Sequence, residues 1–157
     1  MLSRFKTPII CVAIPLLVGA VSAFLTKDAM AQFDMLNKPA LTPPSSLFPI
    51  VWTILFILMG IASYLVYMSS DVSSEDKKMA LTAYGVQLFM NLCWSIVFFN
   101  FGWYLFAFLW IILLWFVILY TTVQFWRISK PAGCMLIPYL LWVAFAAYLN
   151  YMIWQLN

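Results

Sequence analysis

Five apolar runs, Pro8 to Leu25, Leu47 to Met68, Met79 to Phe99, Trp103 to Trp126 and Cys134 to Trp154, contain none of the chain's eight Lys/Arg and five Asp/Glu residues. Each run reaches the roughly 18–25 residues that a helix rising about 1.5 Å per residue needs to cross a hydrocarbon layer of about 30 Å. A soluble domain carries about a quarter charged residues, whereas here charged residues are 8% and hydrophobic ones 66%, which excludes a soluble core. The runs are continuously apolar, without the alternating ~10-residue segments of a membrane β-strand, so they predict helices and not a barrel. The expected fold is all-α: one integral membrane domain over residues 1–157, a bundle of five transmembrane helices.

Five crossings place the termini on opposite sides. Arg4, Lys6, Lys77, Lys78, Arg127 and Lys130 fall on one side and only Lys27 and Lys38 on the other, which predicts a cytoplasmic N-terminus in a bacterial plasma membrane. The net charge of +3 is scattered, with no basic run longer than Lys77-Lys78, and offers no surface for nucleic acid. Arg4 and Lys6, the first run and Ala29-Met30-Ala31 together have the outline of a signal peptide. An apolar stretch of about 18 residues exceeds the usual ~7–15, so the expectation is a retained helix.

The connection after the third run, Asn100-Phe101-Gly102, is so short that the third and fourth helices are expected to be antiparallel neighbours. The connection from Thr26 to Ser46 is far longer, and such loops are usually lids, binding elements or spacers. Pro39, Pro43 and Pro44 stiffen its second half by fixing φ and restricting their predecessors. A stiff lid and a spacer on the headgroups both fit this pattern.

Absences decide much of the remaining chemistry. The chain has no His, and no acidic or basic residue lies inside the runs, so ion-coupled carriers, proton relays and voltage sensors lack their working groups. His-ligated haem and the common zinc sites are excluded on the same ground, as is conventional acid–base catalysis; no metal site and no resident cofactor is expected. Cys11, Cys93 and Cys134 sit on three different runs without paired spacing and read as small hydrophobes.

What is present is aromatic. Phe, Tyr and Trp make up 19% of the chain, and Trp52, Trp94, Trp110, Trp115 and Trp142 recur inside the runs, where interface belts do not explain them. They either fill the bundle or wall a pocket for a flat conjugated ligand. In the third run Gln87, Asn91 and Ser95 recur every four residues, with Tyr84 on the same face, so this stripe is expected to point inward. Amides there serve either as glue between helices or as ligand contacts. Trp142, Ala146 and Asn150 form a matching stripe in the last run, while Pro15 and Pro138 are positioned to bend their helices.

These residues carry a resemblance. Lys38-Pro39-Ala40-Leu41-Thr42-Pro43-Pro44, Phe48-Pro49-Ile50-Val51-Trp52-Thr53, Met59-Gly60-Ile61-Ala62-Ser63-Tyr64, Asn91 with Trp94-Ser95 and Phe98-Phe99, and Pro138-Tyr139 with Trp142, Phe145-Ala146 and Leu149-Asn150 are similar to the TspO/MBR family. That family comprises the bacterial tryptophan-rich sensory proteins and the mitochondrial translocator protein, the peripheral-type benzodiazepine receptor. The resemblance implies a pocket beneath the first loop, between the second, third and fifth helices, for tetrapyrroles such as protoporphyrin IX and for isoquinoline-carboxamide or benzodiazepine-type ligands. It implies polar contacts from Trp52 and Asn91, walls from Trp142, Ala146, Phe56, Trp94 and Ser95, with Gln87 on the same inward stripe, and a top closed by Pro43 and Phe48.

The chain also departs from the family. Gln32 and Leu41 stand where Trp is common, leaving Phe33 as the main aromatic of the loop and implying a thinner cap. No basic residue follows Tyr148 or Tyr151, so the sterol-type pattern is incomplete and cholesterol is not carried over. The resemblance leaves room for a homodimer, and Gly19 with Ala23 gives one small-xxx-small pair, a pattern frequent by chance in membrane helices. The implied function is a tetrapyrrole sensor or scavenger. Light-dependent porphyrin breakdown through Trp52 and Trp142, porphyrin transport and an accessory regulatory role are the alternatives.

Overall fold

In hydrocarbon every backbone N–H and C=O must find its partner within the chain, which drives each apolar run into helix. The computed structural model describes residues 2–157, with side chains from residue 4 onward, and is helical almost throughout. The elements are α1 (Leu2–Thr26), a 3₁₀ turn (Lys27–Ala29), the short α2 (Met30–Asp34), α3 (Leu47–Tyr67), α4 (Ser74–Ser95) widening into a π turn (Ile96–Phe101), α5 (Tyr104–Ile128) and α6 (Lys130–Leu156). Five of these helices are long and apolar enough to span a membrane, as expected.

Three boundaries differ from the sequence expectation. The first third of the long connection is helical, because the 3₁₀ turn and α2 follow directly on α1. The helix of the third run continues through Phe101, so that only Gly102 and Trp103 separate it from α5. Gly102 takes φ +65°, a left-handed conformation that favours glycine, and lets the Trp103 N–H reach Val97 O at 3.3 Å. The last helix begins at Lys130, four residues early, with Pro131 in its first turn where a missing N–H costs nothing. Pro15 and Pro138 both lie within continuous helices.

Short polar ends hold the connections. Ser73 caps α4 by accepting from the Asp76 N–H at 3.1 Å, and Lys77 Nζ donates to Tyr67 O at 2.9 Å at the end of α3. The helices form a closed ring in which α1 packs on α3, α3 on α6, α6 on α5, α5 on α4 and α4 on α1. The antiparallel pairing of α4 with α5 is therefore present. The α4–α1 contact is the sparsest in this ring, and the consecutive α3 and α4 touch to the same small extent. The ring is packed solidly at the end where Met59, Leu136, Tyr139 and Gln87 are buried, and opens toward the end capped by α2.

Candidate functional site

The opening is a cavity of about 540 Å³, within the ~300–1,000 Å³ range of small-molecule sites. Its location follows from how closely α1 and α3 approach. At Gly60 the two backbones nearly touch: a Cβ there would lie 2.5 Å from Val12 Cα and 2.8 Å from Cys11 O. At Gly19 the neighbour is the Phe56 ring, 2.6 Å from an added Cβ. Nearer the lid, Ala20 and Ala23 present almost no side chain, and the cavity takes up the space.

The walls come from α1, α3, α4 with its π turn, and α6, while α5 contributes nothing. Nine of the eleven residues expected at the site line it together: Phe33, Phe48, Trp52, Phe56, Asn91, Trp94, Ser95, Trp142 and Ala146. Gln87 does not; it is 1% exposed and lies behind Tyr139, whose hydroxyl donates to Gln87 Oε1 and accepts from Asn91 Nδ2 at 2.9 Å. Pro43 is also off the lining, and its neighbour Thr42 reaches the cavity instead. The inward stripe of α4 thus has two parts. Gln87 joins helices in the packed half, whereas Asn91 and Ser95 face the open space.

The tryptophans divide in the same way. Trp110 donates to Met90 O at 2.9 Å and Trp115 to Leu140 O at 3.0 Å, so both fasten α5 to its neighbours. Trp94 stands on the cavity wall with its N–H bonded to Asn150 Oδ1 at 3.0 Å, and Asn150 Nδ2 donates to Tyr104 O at 2.8 Å. Trp52 stacks on Phe56 at 5.5 Å and meets Tyr139 edge-on at 6.2 Å. Trp142 packs against Phe48 at 5.8 Å, but its indole N–H is buried without a partner. Thr42 Oγ1 on the same lining is equally unpaired; a third such atom, Tyr84 Oη, lies off the lining. Buried polar atoms nearly always have partners, so these two, covered and unpaired on residues of the cavity lining, are a cost that the packing around the cavity bears.

The lid is docked and not a loose spacer. Phe33 is 6% exposed and packs against Phe99 at 5.3 Å, Phe98 at 6.0 Å and Phe48 at 6.5 Å. Lys38 Nζ donates to Asp34 O and Leu36 O at 3.1 and 3.2 Å. Asn37 and Asn157 clasp the lid to the end of α6, with the Asn37 N–H on Asn157 Oδ1 at 3.2 Å and Asn157 Nδ2 on Asn37 O at 2.8 Å. Gln32 and Leu41 are exposed and stand off the lining.

Sequence reasoning missed the α1 wall. Gly19 and Ala23, noted as a small-xxx-small pair, lie against Phe56 and the cavity. It also missed Phe98, Phe99, Leu149 and Asn150 as lining residues and Tyr139 as the support behind Asn91, although all of these lay within the segments carrying the resemblance.

These features define an integral membrane bundle with a half-open aromatic cavity beside a docked lid. The TspO/MBR family model matches residues 11–155, and the chain belongs to that family. It is 42% identical to the tryptophan-rich protein TspO of Chlorobaculum tepidum over 98% of each chain. It is 35% identical to protein CrtK of Rhodobacter capsulatus over 88% of this chain and 85% of that one. To the translocator protein of Ovis aries it is 34% identical over 85% of this chain and 79% of the relative.

Proposed function

We propose that the chain binds a flat, mostly apolar tetrapyrrole of the protoporphyrin IX type in this cavity and acts as a membrane-embedded sensor or scavenger. The observation that carries this reading is the cavity of about 540 Å³ whose wall brings together Trp52, Phe56, Trp94, Phe98 and Trp142 with few polar groups, Asn91 and Ser95 among them. Such a wall favours a flat conjugated ring system. Isoquinoline-carboxamide and benzodiazepine-type molecules, flat and carrying carbonyl acceptors, suit the same site. In a bacterial plasma membrane, the Lys/Arg distribution supports an N-terminus on the cytoplasmic side and the lid outside.

A second reading, light-dependent porphyrin breakdown, is favoured by the presence of Trp52 and Trp142 on one lining. An electron-rich indole beside a photo-excited macrocycle is open to oxidation. The test is quenching of Trp fluorescence by protoporphyrin IX in the dark, then absorbance of the complex under illumination. Saturable quenching with a stable spectrum supports a sensor or carrier. Spectral loss that disappears in Trp52→Phe and Trp142→Phe supports degradation, and no saturation removes the tetrapyrrole reading.

A further inference from the structure

Among the described residues, Lys27 is the one formally charged side chain on the cavity lining. Resting on the tetrapyrrole reading above, we propose that Lys27 receives a carboxylate of the ligand, so that the site selects flat macrocycles with an anionic edge and holds that edge toward the lid.

The two lysines on this side of the bundle are in different states. Lys38 is committed to the lid: its ammonium donates to two backbone carbonyls and lies over the Phe33 ring, 4.9 Å from the centroid. Lys27 makes no hydrogen bond or ion pair among the described residues, and its ammonium rests over Phe24, 4.4 Å from the centroid. Phe24 is itself 65% exposed, so this contact lies on the outside of α1. A four-carbon stem lets the ammonium swing from that ring to the cavity mouth. Asp28 and Asp34 are exposed and neither stands on the lining, so no acidic side chain there competes for the ammonium.

Depth decides which way round a ligand sits. The inner wall offers uncharged groups, Asn91 and the Phe56 ring among them, and a carboxylate placed there would lose its hydration without a cation in return. At the lid end the carboxylate keeps partial hydration and meets Lys27. The position also suits a cation, since Lys27 follows the C-terminus of α1, where backbone carbonyls lean toward positive charge.

The test uses the full chain in a neutral detergent, in the dark, titrated with protoporphyrin IX and with its dimethyl ester, which keeps the macrocycle and removes both charges. Lys27→Gln is expected to weaken the free acid by roughly threefold to tenfold, as for a partly hydrated charge-assisted contact, and to leave the ester unchanged. Lys27→Glu extends the loss for the acid alone. Lys38→Gln loosens the lid and weakens acid and ester alike. The proposal is overturned if Lys27→Gln leaves the acid's affinity unchanged or weakens both compounds equally, since Lys27 then serves the headgroup layer or the lid. If neither compound saturates the unaltered protein, the tetrapyrrole reading falls, and this inference with it.

Discussion

The two halves of the bundle share helices and a similar mix of large apolar and small polar residues, yet one is solid and the other hollow. In the packed half α1 and α3 meet backbone to backbone at Gly60, and Gln87, Tyr139 and Asn91 form a closed chain of side-chain hydrogen bonds between α4 and α6. In the lid half the same faces carry Ala20, Ala23 and Ala146, the helices no longer close on each other, and two polar atoms stay unpaired. Van der Waals contact is the main attraction between helices in lipid, so a half that gives it up must be held by the other half and by the lid.

The largest effect is expected from destroying the solid half. Gly60→Val places branched carbons against the Val12 and Cys11 backbone, which cannot move aside as a flexible side chain would. The expected loss is about 3 kcal/mol of stability, read as a lower thermal midpoint in detergent. An unchanged midpoint would mean that α1 and α3 do not need this approach. Filling the hollow half should act in the opposite sense. Ala146→Leu adds bulk where the wall has none, and is expected to weaken porphyrin binding by more than about tenfold while leaving the thermal midpoint level or higher. Retained affinity would place the ligand elsewhere.

Trp142→Phe sharpens the contrast at a single atom. It keeps an aromatic ring beside Phe48 and removes the unpartnered N–H. In the unliganded protein that N–H is a buried cost, so stability should hold or rise slightly, while the smaller ring gives up apolar contact on the wall and porphyrin affinity falls roughly fivefold. A fall in stability with no change in affinity would make Trp142 a packing residue like Trp115.

Much of this division was legible in the sequence. The helices follow from charge exclusion and run length, because lipid leaves the backbone no alternative. Nine of the residues that the resemblance singled out line one cavity. Helical spacing alone picked out only the stripes of Asn91 with Ser95 and of Trp142 with Ala146, because amides avoid lipid. The failures are equally physical. Gln87 and Asn91 share a stripe, and only the height of Tyr139 on α6 determines which of them is covered. Gly19 and Ala23 look alike whether they admit another chain or a ligand, since a small residue announces space without naming its occupant. Phe101 was placed in a loop because apolar patterning does not distinguish an α turn from a π turn.

The smallest expected effect concerns what keeps the hollow half shut. The clasp between Asn37 and Asn157 is exposed, and exposed hydrogen bonds exchange readily with water, whereas Phe33 is buried among Phe98, Phe99 and Phe48. Asn157→Ala removes both of its bonds to Asn37 and is expected to raise the porphyrin exit rate only about twofold, measured by stopped-flow recovery of Trp fluorescence. Phe33→Ala should raise it by more, because it strips the apolar anchor that docks α2. If Asn157→Ala has the larger effect, the lid is held at its polar end and swings on α2. If both are silent, ligand leaves without lifting the lid, and the cavity must open instead between α1 and α3, where Ala20 and Ala23 leave the wall thinnest.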